Sequence, residues 1–315
     1  MNDDDIVAPL ANDCEDLRRF LIDSALPPVW TLDAATACRL YDEGVAKTRA
    51  AWTPPLDGLA VDVTDVPAAG GLAAARRYRP RTDRNGRPTI VWLHGGGWVL
   101  GDLEAADAPA RTAAVATGCT IASVDYRRAP ADLFPAAVVD ALACVDWLLA
   151  DGQSVVVAGD SAGGNLAACV AQLRGGDPGL LGQVLVYPAT DPSMTSDSYG
   201  QFTEGPFLTR RDMEWFYDQY LGPSGDRDDV RVNVAAGLGE GSAVPAVVLT
   251  VGHDPLRDEG IAYAQALRGR GVPVTWIHAP ELFHGAFTQS GLLPSSALRV
   301  AQVWAAAREM FTSPV

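Results

Sequence analysis

The sequence is poor in the features that membranes and nucleic acids require. Its longest apolar stretches fall well short of the roughly 20 residues that a membrane-spanning helix needs. Basic residues are scarce, because 24 Lys and Arg stand against 39 Asp and Glu in 315 residues, which gives a formal net charge of −15 at pH 7. A chain this acidic repels phosphate backbones. We therefore expect no membrane span and no nucleic-acid partner.

Cysteine is also scarce, and no two cysteines have the CxxC spacing. The five are Cys14, Cys38, Cys119, Cys144 and Cys169. An odd number at scattered positions is typical of reduced thiols. The N-terminus, MNDDDIVAPL, is acidic and has no long apolar segment, so it does not have the pattern of a secretory signal. These features predict a cytoplasmic protein without a disulfide framework or a metal site.

Short apolar runs alternate with amphipathic segments over most of the chain. Runs such as TIVWL, SVVVAG, QVLVY and AVVLTV are typical of parallel strands that are buried on both faces. Eight strands are predicted: Leu59–Val66, Leu72–Arg79, Thr89–Leu93, Cys119–Asp125, Ser154–Gly159, Gly182–Tyr187, Ala246–Val251 and Val272–Ile277. The alternation predicts an α/β fold with a mostly parallel sheet, helices on both faces and a site beyond the carboxyl ends of the strands.

Helix signals fall between these strands. Ser161–Arg174 has apolar residues at helical spacing before a Gly-Gly pair, and Asp258–Arg270 begins with acidic and ends with basic residues. A last helix begins near Pro294. Two segments do not fit the alternation. The first 55 residues are predicted to form one or two helices, and the aromatic-rich stretch Ala189–Val244 is predicted to form a lid within a single domain.

The motif GDSAGG, at residues 159–164, follows a predicted strand and precedes a predicted helix. Such a sharp strand-to-helix turn lifts Ser161 clear of the sheet and crowds the positions two before and two after it. Gly159 and Gly163 meet that requirement, because they have no side chain. The motif predicts that Ser161 is a nucleophile.

A second glycine motif, HGGGW at residues 94–98, follows the strand TIVWL. Consecutive glycines allow backbone N–H groups to point at one place, as an oxyanion hole requires. We predict Gly96, Gly97 and the N–H of Ala162 as donors, with Gly95 as an alternative. A dinucleotide-binding loop is the competing interpretation, but the spacing G-x-G-x-x-x-G and the bulky Trp98 do not favour it.

A nucleophilic serine needs a base and an acid that orients the base. Of the four histidines, His284 lies in a loop after the last predicted strand, from which it can reach Ser161. Asp254 follows the strand AVVLTV, so the order Ser161, Asp254, His284 fits one known arrangement of a triad. Asp258 and Glu259 are competing acids, although both suit the first turn of a helix better.

Four blocks together resemble the hormone-sensitive-lipase family of α/β-hydrolases, in its GDSAG branch. They are HGGGWVLGD, VDYRRAPADLFPAAVVDA, GDSAGGNLAA, and HDPLRDEG followed by FHG. The resemblance runs from about residue 55 to the C-terminus and implies an α/β-hydrolase with an eight-stranded sheet. It implies that residues 1–55 and 189–244 form a helical cap, and that Ser161, Asp254 and His284 are the triad. Two positions depart from the family pattern, Ala131 in place of Glu and Ala286 in place of Phe.

Members of this family are mostly carboxylesterases that prefer short to medium acyl chains, need no cofactor and often form homodimers. The resemblance therefore implies a small-molecule ester as substrate. Two alternatives stay open: an enzyme of the same fold that hydrolyses an amide, deacetylates or dehydrates a specialised metabolite, and a small-molecule receptor without catalysis. Several aromatic side chains are candidates for lining the substrate pocket: Trp98, Phe202, Phe207, Trp215, Phe216 and Trp30.

Overall fold

The computed structural model describes residues 6–53, 61–68, 71–81, 86–239 and 244–312. Its strands are β1 Val61–Val66, β2 Ala75–Pro80, β3 Thr89–Leu93, β4 Ile121–Val124, β5 Val155–Asp160, β6 Leu180–Val186, β7 Ala246–His253 and β8 Val274–Phe283. Its helices are α1 Asn12–Ser24, α2 Ala34–Trp52, α3 Asp107–Thr117, α4 Ala136–Ala150, α5 Ala162–Arg174, α6 Asp197–Gln201, α7 Arg210–Leu221, α8 Arg257–Gly269 and α9 Pro294–Thr312.

The eight strands form one sheet in the order β1-β2-β4-β3-β5-β6-β7-β8. The first two junctions, β1 with β2 and β2 with β4, are antiparallel, and the other five are parallel. The predicted mostly parallel eight-stranded sheet is confirmed. The carboxyl ends of β5, β7 and β8 therefore lie along one edge of the sheet, which is where the predicted site residues follow.

Alternate residues of each central strand enter two separate cores, one on each face of the sheet. In β3, Val91 and Leu93 pack in the core that α4, α5 and α8 cover. Ile90 and Trp92 pack in the opposite core, with α3 and α9. All five residues of β3 are buried, as expected for a strand between two helical layers. The prediction of helices on both faces is thus confirmed.

The last strand is longer than the sequence predicts. We expected it to end at Ile277, but β8 continues to Phe283 and includes Pro280. Among the described strands β8 pairs with β7 alone, and as an edge strand it tolerates a proline that a central strand does not. Its extension brings His284 directly to the end of a strand instead of into a longer loop.

The two segments outside the alternation contact the same side of the molecule. The first contains α1 and α2, in agreement with the predicted helices, and the second contains α6 and α7 within residues 189–239, which we call the insertion. Cys38 of α2 donates to the carbonyl of Val99, and Trp98 stacks on Tyr220 of α7. Both segments therefore rest on the loop that follows β3. Leu59 and Ala60, at the start of the first predicted strand, lie outside the described residues.

Within the described ranges, no helix is long and apolar enough to cross a bilayer. The same residues contain no group of three His, Cys, Asp or Glu side chains arranged to hold a metal ion.

Candidate active site

Ser161 lies at the turn between β5 and α5 in a strained backbone conformation, with φ 55° and ψ −118°. Its N–H donates to the carbonyl of Val186 at 2.9 Å, and its own carbonyl accepts from the N–H of Asn165 at 3.0 Å. A Cβ at Gly159 would collide with the Gly163 carbonyl, and one at Gly163 would collide with backbone of β3. The turn therefore has the steric requirement for glycine that the motif predicts.

A chain of two hydrogen bonds joins Ser161 to His284 and Asp254. The Oγ of Ser161 lies 2.9 Å from Nε2 of His284, and Nδ1 of His284 lies 2.9 Å from Oδ2 of Asp254. The other carboxylate oxygen of Asp254 accepts the N–H of Leu256 at 2.8 Å. These partners favour the imidazole tautomer with the proton on Nδ1, which leaves Nε2 to accept from the serine. The arrangement can deprotonate the serine hydroxyl as the hydroxyl attacks an electrophile.

The three side chains are shielded from solvent to different extents. Ser161 is 8% exposed and Asp254 is fully buried, while the side chain of His284 is 10% exposed. A buried acid and a base with a small opening to solvent suit a site in which a substrate excludes water. The ring of Tyr187 packs against the imidazole, with 4.5 Å between ring centroids.

The two competing acids have other partners. Asp258 accepts the N–H of Ser198 at 2.7 Å and pairs with Arg257. Glu259 is buried and accepts the N–H of Thr190 at 2.6 Å, and its burial raises its pKa well above the ordinary value. Both carboxyl groups thus attach the insertion to α8, whereas Asp254 contacts the histidine.

The other histidines also have partners of their own. His253 and His278 each bond through Nε2 to a carbonyl of the N-terminal segment, that of Ala8 and that of Ile6, both at 2.8 Å. His94 is buried, and burial lowers its pKa to about 4, so its ring is neutral at pH 7. Its Nδ1 lies 2.8 Å from the carbonyl of Gly95. His94 therefore holds the glycine loop.

The glycine loop between β3 and α3 is held by hydrogen bonds at Gly95 and at the Gly96 carbonyl. The Gly96 carbonyl accepts from the N–H groups of Val99 and Leu100, at 3.1 and 2.8 Å. The N–H of Gly95 donates to Oδ1 of Asp160 at 2.9 Å, so this N–H is committed to a partner. The alternative donor Gly95 is therefore not available to a ligand in this structure.

The backbone N–H groups near Ser161 that have no acceptor among the described residues include those of Gly96, Gly97 and Ala162. Gly96 and Gly97 have φ values of 114° and 61°, in the left-handed region that glycine adopts readily. Ala162 begins α5, where the first N–H groups have no partner inside the helix. These groups can donate to a carbonyl oxygen that becomes negatively charged during a reaction.

The dinucleotide-binding interpretation does not fit the loop. Such a loop places a helix N-terminus directly at its last glycine. Here α3 begins only at Asp107, six residues after Gly101. In addition, the ring of Phe216 occupies the space into which a side chain at Gly97 would project.

The aromatic side chains that were predicted to line the substrate pocket lie in several different places. Trp98 is fully buried and stacks on Tyr220, with ring centroids 4.5 Å apart, so it packs the insertion on the loop. We predicted that Trp98 contacts substrate, but a fully buried ring does not reach a ligand in this structure. Phe207 stacks on Phe283 at 3.8 Å, and Phe202 lies beside His253 at 6.1 Å.

Of the remaining aromatics, Phe216 lies against the glycine loop and Trp215 lies beside Phe216. Trp215 is half-buried and lies edge-on to Phe216, with ring centroids 5.2 Å apart. Trp30 is exposed beneath the guanidinium of Arg211, at 4.9 Å. Phe216, 6% exposed, is the aromatic that contacts Gly97 directly.

The two departures from the family pattern lie in different surroundings. Ala131 is exposed. Ala286 is fully buried, and its carbonyl accepts the hydroxyl of Ser296 at 2.8 Å. Sequence reasoning overlooked two neighbours of the site, Asp160 and Tyr187. Asp160 stands at an unspecified position of the general G-x-S-x-G pattern and Tyr187 directly follows β6 without any motif, so the pattern assigned no role to either.

The fold and this constellation define a hydrolase of the α/β class, and comparison with known proteins agrees. A family model described as an alpha/beta hydrolase fold matches residues 90–288. A thermostable esterase from Pseudomonas putida ECU1011 superposes with a TM-score of 0.87 at 29% identity, covering 97% of this chain and 99% of that one.

Two curated relatives are carboxylic ester hydrolases by name. LipN of Mycobacterium tuberculosis is 41% identical over 243 residues, which is 71% of this chain and 64% of LipN. The ethyl acetate hydrolase of Pseudomonas putida is 33% identical over 271 residues, 82% of this chain and 84% of that protein. The chain belongs to the α/β-hydrolase family, as its resemblance to hormone-sensitive lipases predicts, and groups there with the carboxylic ester hydrolases.

Proposed function

We propose that this carboxylic ester hydrolase uses Ser161, His284 and Asp254 as a catalytic triad on esters of short to medium-length acids. The observation that carries the proposal is the continuous hydrogen-bonded chain from Ser161 through His284 to Asp254, with 2.9 Å at each step. The N–H groups of Gly96, Gly97 and Ala162, which have no acceptor in the part of the chain that the structure describes, support it further.

The reaction proceeds in two halves. Nε2 of His284 takes the proton of Ser161 as Oγ attacks the ester carbonyl carbon, and the imidazolium then gives that proton to the leaving alcohol. Water attacks the acyl-serine in the second half, and His284 removes its proton and returns it to Oγ as the acid leaves. Asp254 keeps the imidazole in the required tautomer and stabilises its charged form.

The oxyanion of both tetrahedral intermediates is held by backbone N–H groups. Gly96, Gly97 and Ala162 supply these donors in our proposal. They need no reorganisation during the reaction, because the loop and the helix N-terminus are already fixed by their other hydrogen bonds. Losing one such donor typically costs a factor of about a hundred or more in kcat.

A preference for shorter acyl chains is supported by the ring of Phe216. It lies against Gly97, so it limits the space beside the carbonyl group of a bound ester. Ethyl acetate, the substrate that names one of the relatives, has a two-carbon acyl group. We extend this preference to the present chain as part of the proposal.

The helices α1 and α2 together with the insertion form the cap in this proposal, within one domain. The thiols of Cys14, Cys38, Cys144 and Cys169 are free, which supports the proposed cytoplasmic location. A homodimer is a prediction from the family resemblance alone, and sedimentation velocity would test it.

Replacing Ser161 by Ala tests the proposal. We expect kcat for p-nitrophenyl butyrate to fall by a factor on the order of 10⁵, with the fold retained. Ser154→Ala, at the opposite end of β5, is the matched control and should keep full activity. A fluorophosphonate should label the wild type at Ser161 and leave the variant unlabelled.

The same experiment separates the alternatives. A non-catalytic receptor would neither react with the probe nor hydrolyse any ester. An enzyme for amides or for dehydration would also react with the probe, but its kcat/KM for p-nitrophenyl butyrate would be low, and an amide-specific enzyme would hydrolyse the matching butyranilide faster. Equal hydrolysis by Ser161→Ala and wild type would reject the proposed nucleophile.

A further inference from the structure

Asp160 is a buried carboxyl group between the turn that carries Ser161 and the glycine loop. It is the last residue of β5, directly before Ser161, and it is 7% exposed. Its Oδ1 accepts the N–H of Gly95 at 2.9 Å. The contact is close, because a Cβ at Gly95 would collide with Oδ2 of the same carboxyl group. Asp160 thus joins the turn of the nucleophile to the glycine loop.

This contact fixes the peptide immediately before the proposed oxyanion donors. The carbonyl of Gly95 bonds to Nδ1 of His94 at 2.8 Å, so both polar groups of Gly95 have partners. The next two N–H groups, of Gly96 and Gly97, have none among the described residues. With residue 95 held at both groups, the orientation of the following two peptides is set relative to β5 and to Ser161.

The carboxyl group is unfavourable for folding where it lies. Burial raises its pKa from the ordinary 3.8 to about 6, although the Gly95 N–H and the nearby His284 oppose that rise. The other titratable groups that face it are the phenols of Tyr41, Tyr126 and Tyr187, whose pKa values burial also raises. A buried carboxylate without a cationic partner destabilises a fold, so its presence here calls for another explanation.

We propose that Asp160 is a positioning residue of the oxyanion hole: by accepting the Gly95 N–H it withdraws that donor and aligns those of Gly96 and Gly97. The inference rests on the proposed ester hydrolysis at Ser161. It assigns no bond-making step to Asp160, which acts only through the glycine loop.

Two substitutions at this position test the proposal. Asp160→Ala removes the acceptor, and we expect kcat for p-nitrophenyl butyrate to fall about a hundredfold while KM changes less than about threefold. Asp160→Asn keeps a carbonyl oxygen that can accept the Gly95 N–H, so kcat should recover to within about tenfold of wild type. Rescue by the amide distinguishes positioning from a need for negative charge.

Inhibitor binding supplies a readout that a general loss of packing would not reproduce. An aryl trifluoromethyl ketone adds to the serine and forms an oxyanion in the hole. Its affinity should fall in Asp160→Ala by about the same factor as kcat, whereas that of the product butyrate should change little. Asp160→Asn should bind the ketone to within about tenfold of the wild-type affinity, in line with its kcat, and should bind butyrate as the wild type does.

The pH dependence of kcat/KM gives a test that needs only the conservative variant. A protonated carboxyl group keeps a carbonyl oxygen that can accept the Gly95 N–H, as the amide of Asp160→Asn does. The acid limb of the wild type should therefore have the same slope as that of Asp160→Asn. A steeper limb in the wild type would show that the charge of Asp160 is needed and would contradict the proposal even if Asp160→Ala did not fold.

Asp140→Ala is the matched control, because Asp140 is another buried carboxyl group but lies in α4 and bonds to Arg127. It should lower the melting temperature without changing ketone affinity. Undiminished kcat in Asp160→Ala, or a loss that Asp160→Asn does not repair, would overturn the inference. If the wild type hydrolysed no ester, the proposed function would fail first, independently of Asp160.

Discussion

The nucleophile turn and the insertion both border Ser161, but they are held by different kinds of contact. At Gly159 and Gly163, backbone packs directly on backbone, and no side chain of any size fits. The insertion packs through rings, with Trp98 on Tyr220 at 4.5 Å and Phe207 on Phe283 at 3.8 Å.

The difference explains why only one region has a sequence signature. Where backbone meets backbone, glycine alone satisfies the geometry, so the requirement is visible as GDSAGG. Ring packing can be achieved by many combinations of large side chains with adjusted rotamers. The insertion is therefore recognisable as an aromatic-rich stretch, but the partner of each ring is not.

The sharpest test of this comparison replaces two aspartates that follow β7, one at a time. Asp254→Asn should lower kcat by a factor of about 10⁴, because the amide neither stabilises the imidazolium nor favours the required tautomer. Asp258→Asn, which loses a contact to the insertion instead, should keep kcat within about threefold. Steady-state kinetics with p-nitrophenyl butyrate would decide, and similar losses in both variants would remove the distinction.

A methyl group at a motif glycine tests the backbone contacts. Gly163→Ala forces a Cβ into β3 and should lower the free energy of unfolding by at least about 3 kcal/mol. Gly176→Ala, where a Cβ meets nothing within 4 Å, should change it by less than about 0.5 kcal/mol. Urea unfolding measures both, and a stable Gly163→Ala protein would refute the steric account.

Truncating one aromatic side chain of the insertion should alter the acyl-chain specificity of the enzyme. Phe216→Ala opens space beside Gly97, so the ratio of kcat/KM for octanoate over acetate esters should rise about tenfold. Phe202→Ala is the control, because Phe202 lies beside His253 and Arg257 instead. The expectation fails if the ratio is unchanged, or if both variants shift it equally.

The smallest expected effect is a gain in stability at the site. The pKa of Asp160 is about 6 in the folded protein against an ordinary 3.8. The loss of folding free energy caused by the ionised, buried carboxylate therefore grows as pH rises from 4 to 6 and is complete above 6. Asp160→Asn should therefore melt about 2–5 °C above wild type at pH 8, with no difference below pH 4. Asp140→Asn, which gives up the pair with Arg127, should instead melt lower at pH 8.

Much of the sheet could be predicted from the sequence, because its central strands are short, apolar and separated by helical patterns. Thr89–Leu93 was predicted with the observed bounds. The end of β8 was missed, since HAPELF has no strand pattern and Pro280 is tolerated only at a sheet edge. Trp98 was predicted to contact substrate, but it is fully buried, with Tyr217 and Tyr220 of α7 packed against it.

The sequence by itself determined which residues could carry chemistry: the glycine spacing around Ser161, and the order of Asp254 and His284 after two later strands. These follow from local geometry and from strand ends that meet at one edge of a parallel sheet. Only the tertiary structure decided that Gly95 gives its N–H to Asp160, that Glu259 holds the insertion and that Phe216 lies over Gly97. Those pairings join residues 65, 69 and 119 positions apart, and they depend on how separate elements pack rather than on any local pattern.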